Sequence, residues 1–155
     1  MAIFSKPDGY VKQISLYLDA ADYGKAYALA QEMAAVFPQE MVSHFLLAKC
    51  SLRLGKNDVA LSQAMKAFNM SSDRKDLLAA GLLAASADFM LSRFDDGLRM
   101  LRNFEEDENE DIERLEVIFA AAMGDEESAA RHVRDLMKLN KKAAEDLIER
   151  FLRGK

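Results

Sequence analysis

The chain has 155 residues, of which 50% are hydrophobic and 30% charged, with a net charge of -5 and a pI near 5.1. That length and composition support a hydrophobic core and exclude disorder, and the acidic balance offers no clustered positive charge for nucleic acid or an anionic membrane. Two prolines, seven glycines and abundant Ala, Leu, Met, Glu and Lys predict an all-α chain.

The opening "MAIFSKPDGY" holds no apolar stretch of signal-peptide length. The longest apolar run, "LLAAGLLAASADFML" at 77–91, is too short to span a bilayer and contains Asp88. These features predict a cytoplasmic protein. From Pro7 a first helical pair runs through Tyr10, Tyr17, Tyr23, Ala26 and Ala30 to Pro38, with Asp22 placed to cap its second helix.

A second pair starts 34 residues later at Met41 and carries His44, Leu47, Ala48, Gly55, Ala60 and Ala67. Within it, "LRLGKNDVALSQAMKAF" at 52–68 contains a Gly-Lys pair that invites comparison with a phosphate-binding loop. Such a loop needs a glycine where Cys50 stands and a hydroxyl where Asn57 stands. The segment therefore reads as a bend between helices, in which Gly55 relaxes the turn, Lys56 is solvated and Asn57 caps the next helix.

A third pair is predicted from about Leu78, displaced by "SSDRKD", with Ala84, Ala85, Phe94, Gly97, Leu101 and Phe104. Ser92, followed by Asp95 at capping-box spacing, would start its second helix. A fourth runs from about Glu110 through Val117, Gly124, Ala129, Val133 and Leu136, with Asp125 as cap. The tail "KKAAEDLIERFL" then reads as an amphipathic helix over about 141–153, ended by Gly154, that covers the last pair. The units are thus about 7–40, 41–74, 78–109 and 110–140 within one helical-repeat domain.

The period of 34 and the small residues Ala26, Ala60, Gly97 and Ala129, each early in a second helix, resemble the tetratricopeptide repeat over roughly residues 7–140. The letters depart from that family in places. No tryptophan occupies the large-residue position, only the first unit ends in proline, and the Leu-Gly pair appears as Leu47-Ala48 or Ala84-Ala85. The resemblance implies a solenoid of four helix pairs whose first helices line a concave surface.

On that implied surface the first unit places Val11, Lys12, Ser15 and Leu18, and the second Phe45, Leu46, Lys49, Leu52 and Arg53. The third places Leu82, Leu83, Ser86, Phe89 and Met90, and the fourth Arg114, Leu115, Ile118 and Ala122. Family members that clamp a C-terminal carboxylate use polar residues where this chain has Val11, Ser15, Leu82 and Leu83, so that clamp is not expected. An apolar groove flanked by Lys12, Lys49, Arg53 and Arg114 suits a partner protein that offers hydrophobic anchors beside acidic or backbone groups. In architecture, size and acidity the chain is similar to bacterial type III secretion chaperones of translocator subunits. The alternative reading is structural, with the repeats self-assembling into a homodimer or filament.

Chemistry is sparse. Cys50 is the lone cysteine, so it forms no intramolecular disulfide or CxxC site, and it is expected to pack. His44 takes a large-residue position and is expected to be packed, whereas His132 lies in a charged stretch and is expected to be exposed. Neither has a partner at metal-ligand spacing on its own helix face. In "EEDENED" at 105–111, Asp107, Asn109 and Asp111 mimic calcium-loop ligands, but Ile112 and Ile118 stand where the loop needs glycine and glutamate. That segment is expected to be a solvated loop. No nucleophile motif is present, and the expectation is a non-enzymatic protein with no cofactor and no metal.

Overall fold

Local sequence signals set the helix boundaries. In the computed structural model, which describes residues 2–152, α1 (Pro7–Asp19) starts on a proline, whose missing N–H is one a helix start leaves unused. It is followed by α2 (Tyr23–Val36), α3 (Met41–Arg53), α4 (Asn57–Met70), α5 (Arg74–Met90) and α6 (Phe94–Arg102). A 3-10 turn (Glu105–Asp107) leads to α7 (Glu110–Ala122), α8 (Glu126–Leu139) and α9 (Lys141–Leu147), which continues as a π-helical turn (Ile148–Leu152). There is no strand among the described residues, and no helix among them is long and apolar enough to cross a membrane. Gly154, the expected end of the last helix, lies outside the described residues.

The side chains of Asp22, Asp73, Asn109, Asp125 and Asn140 each accept a hydrogen bond from a first-turn N–H and cap α2, α5, α7, α8 and α9. Two expected caps are displaced. Lys56 and Arg93 occupy the cap positions of α4 and α6, so Asn57 is already the first residue of α4 and Ser92 lies one residue before the cap. Asn57 Oδ1 is buried without a hydrogen-bond partner among the described residues. The helix expected from about Leu78 begins earlier, at Arg74. Asp73 accepts from the Asp76 N–H at 2.8 Å, which starts α5 at Arg74, so "SSDRKD" supplies a cap and first turn.

A turn with one left-handed residue recurs along the chain and sets each cap position. Ala21, Gly55, Ser92 and Gly124 all have positive φ, at 56°, 74°, 60° and 75°, and each lies between a helix C-cap and the next N-cap. At Ala21 the N–H donates to the Leu18 carbonyl at 3.0 Å, and the Asp22 N–H donates to Tyr17 at 2.8 Å. Gly55 and Lys56 repeat this toward Leu52 and Ser51, and Gly124 and Asp125 toward Ala121 and Ala120. This is the Schellman arrangement, which satisfies carbonyls that a helix end otherwise leaves unpaired. In each turn the residue after the left-handed one is the cap, which puts the cap one residue before Asn57 in α4 and one residue after Ser92 in α6.

The chain forms two compact units, one ending at Leu91 and the other beginning at Ser92. In the first, each helix packs on the next, and α3 also packs on α1 and α5. Tyr10, Ile14, Leu29, Met33, Leu46, Leu47 and Cys50 form its core with Ala26 and Ala30, and Phe4 and Phe37 each meet Tyr10 edge to face. Alanine at Ala26, Ala60, Ala64 and Ala67 is buried, which lets helix backbones approach closely. The α2–α3 turn is pinned by side chains: Ser43 Oγ donates to the Phe37 carbonyl at 2.8 Å.

In the second unit α7 packs on α6, α8 and α9, and α8 packs on α9. Val117, Val133, Leu136, Ala143, Ala144 and Leu147 form a core that α9 closes over α7 and α8. Asn140 joins these elements. It caps α9 through the Ala143 N–H at 3.0 Å, while its Nδ2 donates to Glu110 Oε2 in the first turn of α7 at 2.7 Å.

Candidate functional site

The helix period places Phe45, Lys49, Leu52 and Arg53 along one stripe of α3, and Leu82, Ser86, Phe89 and Met90 along one stripe of α5. Val11, Phe45, Lys49, Leu52, Leu82, Leu83, Ser86 and Phe89 are half-buried, Lys12 and Arg53 are exposed, and the Met90 side chain at the end of α5 is 58% exposed. Leu46 is different: it is buried in the core of the first unit, because the next residue along a helix is turned by about 100° toward another face. Val11 and Phe45 pack in part against the same core. Ser86 Oγ donates to the Leu82 carbonyl at 2.8 Å, so its hydroxyl hydrogen is used within α5.

The cations near this stripe are partly engaged. The Arg53 guanidinium lies 5.8 Å from the Tyr23 ring centroid, and Lys56 lies 5.3 Å from that of Tyr27, both cation–π distances. Arg114 and Ile118 belong to the second unit. There Arg114 pairs with Asp111 at 3.3 Å, and Ile118 packs against the core that α9 covers. What the named residues of α1, α3 and α5 offer is therefore a half-buried apolar stripe with a few cations.

His44 and Cys50 are packed. His44 Nε2 lies 2.8 Å from the Pro38 carbonyl, which fixes that nitrogen as the donor, and Nδ1 lies 2.7 Å from Gln63 Oε1. Cys50 is fully buried, and burial pushes its thiol up to about 11, which leaves it protonated and inert at neutral pH. The "EEDENED" segment ends in a cap: Asn109 Oδ1 accepts from the Asp111 and Ile112 N–H groups at 2.8 and 3.2 Å.

The second unit contains a cluster that sequence spacing did not reveal. Glu113 and Glu116, three residues apart on α7, meet His132 of α8, whose Nδ1 lies 2.8 Å from Glu113 Oε2 and 2.8 Å from Glu116 Oε2. The side chains are 15%, 8% and 19% exposed, so His132 is largely enclosed, not exposed as its charged surroundings suggested. The hydrogen bond to Glu116 and then that to Glu113 hold the His132 pKa above its usual range, against the opposing effect of burial. Burial raises the Glu113 pKa, outweighing its bond to His132. The visible half of the signal was the Glu-x-x-Glu spacing on α7; the histidine arrives from the other helix of the hairpin and shares no local spacing with it.

These groups border a cavity of about 560 Å³ among residues of α6, α7 and α8. Its lining includes Asp95, Glu105, Asp125 and Asp135 besides the two cluster carboxylates, against Arg102 and Arg131. The balance is negative and favours a cation. No known family model matches the chain, and no curated protein matches it.

Proposed function

We propose that the protein is a non-catalytic, tetratricopeptide-like binding module that takes an apolar segment of a partner protein along α1, α3 and α5. The observation that carries this reading is the half-exposed stripe of Phe45 and Leu52 on α3 with Leu82, Leu83 and Met90 on α5. Monomeric proteins seldom leave contiguous apolar surface open without a use for it. The repeat reading is supported by α1 and α3 starting at Pro7 and Met41, by α2 and α4 starting at Tyr23 and Asn57, and by the matching turns at Ala21 and Gly55. Helices α1, α3 and α5 are also neighbours in succession, as first helices of stacked pairs are.

Lys12, Lys49 and Arg53 beside the stripe favour a partner with acidic groups flanking its hydrophobic anchors. At a finer level, a small acidic repeat protein with an apolar groove suits a chaperone that shields hydrophobic segments of subunits before export, as the type III secretion comparison suggests. The test is affinity capture from native extract with wild type and with Phe45→Glu and Leu83→Glu variants shown to be folded by circular dichroism. Partners retained by wild type and lost from both variants are expected. Equal retention by the folded variants overturns the reading, and recovery of the protein alone replaces it with self-assembly.

A further inference from the structure

We propose that Glu113, Glu116 and His132 form a binding site for one divalent transition-metal ion of the zinc class. This inference does not depend on the binding reading for α1, α3 and α5. The three side chains present two carboxylate oxygens and one imidazole nitrogen within 4.8 Å of one another. They come from both helices of the α7–α8 hairpin, so the fold, and not a local loop, brings them together.

The charge arithmetic favours an ion over a proton. The site brings two carboxylates together in an enclosed position, and a single proton can neutralise no more than one of the two charges they carry when ionised. A divalent ion offsets both. On binding, it takes the place of the proton that Nδ1 presents to Glu113 and Glu116; the proton leaves to solvent, and Nδ1 donates its lone pair to the metal. Tetrahedral bonds of about 2.0–2.2 Å separate ligands by about 3.3 Å, so the present contacts of 2.8 Å open by about half an ångström through side-chain rotation. The adjoining cavity gives the ion an entrance and leaves room for water as a fourth ligand.

An imidazole in the ligand set disfavours magnesium and calcium, which prefer oxygen alone, and the affinity order of divalent ions places zinc above manganese. Asp135 lines the same cavity and adds a further acidic group near Glu113.

The experiment is a zinc titration of the full chain by calorimetry near neutral pH, in two buffers of different ionisation enthalpy, with cobalt absorption as a geometric readout. The expected result is one saturable site, release of a proton, and d–d bands of a low-coordinate cobalt ion. His132→Gln and Glu116→Gln should each weaken binding at least tenfold, whereas Glu106→Gln should leave it unchanged. Nitrogen NMR of the wild type guards against variants that fail to fold, because zinc must shift Nδ1 of His132 and spare His44. Absence of saturable zinc binding below millimolar concentration, undiminished affinity in folded His132→Gln, or a zinc response at His44 alone would overturn the site.

Discussion

Ala21 and Ser92 adopt a left-handed backbone that costs an L-residue about 1–2 kcal/mol and costs glycine almost nothing. At the equivalent turns the chain uses Gly55 and Gly124. Ala21→Gly should therefore stabilise the protein by ~0.5–1 kcal/mol after the greater freedom of glycine in the unfolded chain is subtracted. Gly55→Ala should destabilise it by about 1 kcal/mol, and by strain alone, since a Cβ there meets nothing within 4 Å. Denaturant unfolding of both variants checks the pair. His132 supplies a pH test of the same kind. Its pKa is raised in the folded chain, so the stability it contributes is complete below about 6.5, its unfolded value, and is lost as pH rises through the folded value. Glu113, also raised, disfavours the folded state once pH exceeds the ordinary carboxylate range, so its effect runs in the same direction. The groups facing His132 are Glu113, Glu116 and the more distant Asp125 and Asp135, all acidic, with Arg131 beside it on α8. Stability measured in metal-free buffer should fall from pH 6 to pH 9, and His132→Gln should flatten that slope.

Helix ends show which signals the sequence makes legible. Asp22 and Asp125 cap as their positions imply, because an aspartate just after a left-handed residue reaches the first-turn N–H groups directly. Asn57 and Ser92 look equally good as letters but sit one residue off, and only the turn geometry at Gly55 and Ser92 reveals the offset. Asn140 is the converse case. As the cap of α9 it also bonds Glu110 of α7, a partner 30 residues away that local pattern does not indicate. Replacing it with alanine should cost about 1–2 kcal/mol, toward the upper end for a lost cap because the α7 contact goes with it. Amide exchange over α9 should accelerate more than exchange over α7, since α9 depends on Asn140 for both its cap and its attachment.

For the whole molecule, composition was enough to predict helices without strands among the described residues; within each unit consecutive helices pack on one another, and Ala26, Ala60, Gly97 and Ala129 are buried. The candidate sites were less legible. Leu46 looked like a groove residue and is buried in the core, because apolarity does not distinguish a core face from an open one; Ile118, like Val11 and Phe45, packs only in part against a core. Glu113, Glu116 and His132 were invisible as a set because their convergence depends on the register of α7 against α8. A partner segment is proposed to lie along α3 and α5. Hydrogen–deuterium exchange of the captured complex against the free protein tests it directly: protection concentrated on α3 and α5, including the peptides around Phe45 and Leu83, is the predicted result, and protection confined to α6–α9 would contradict it.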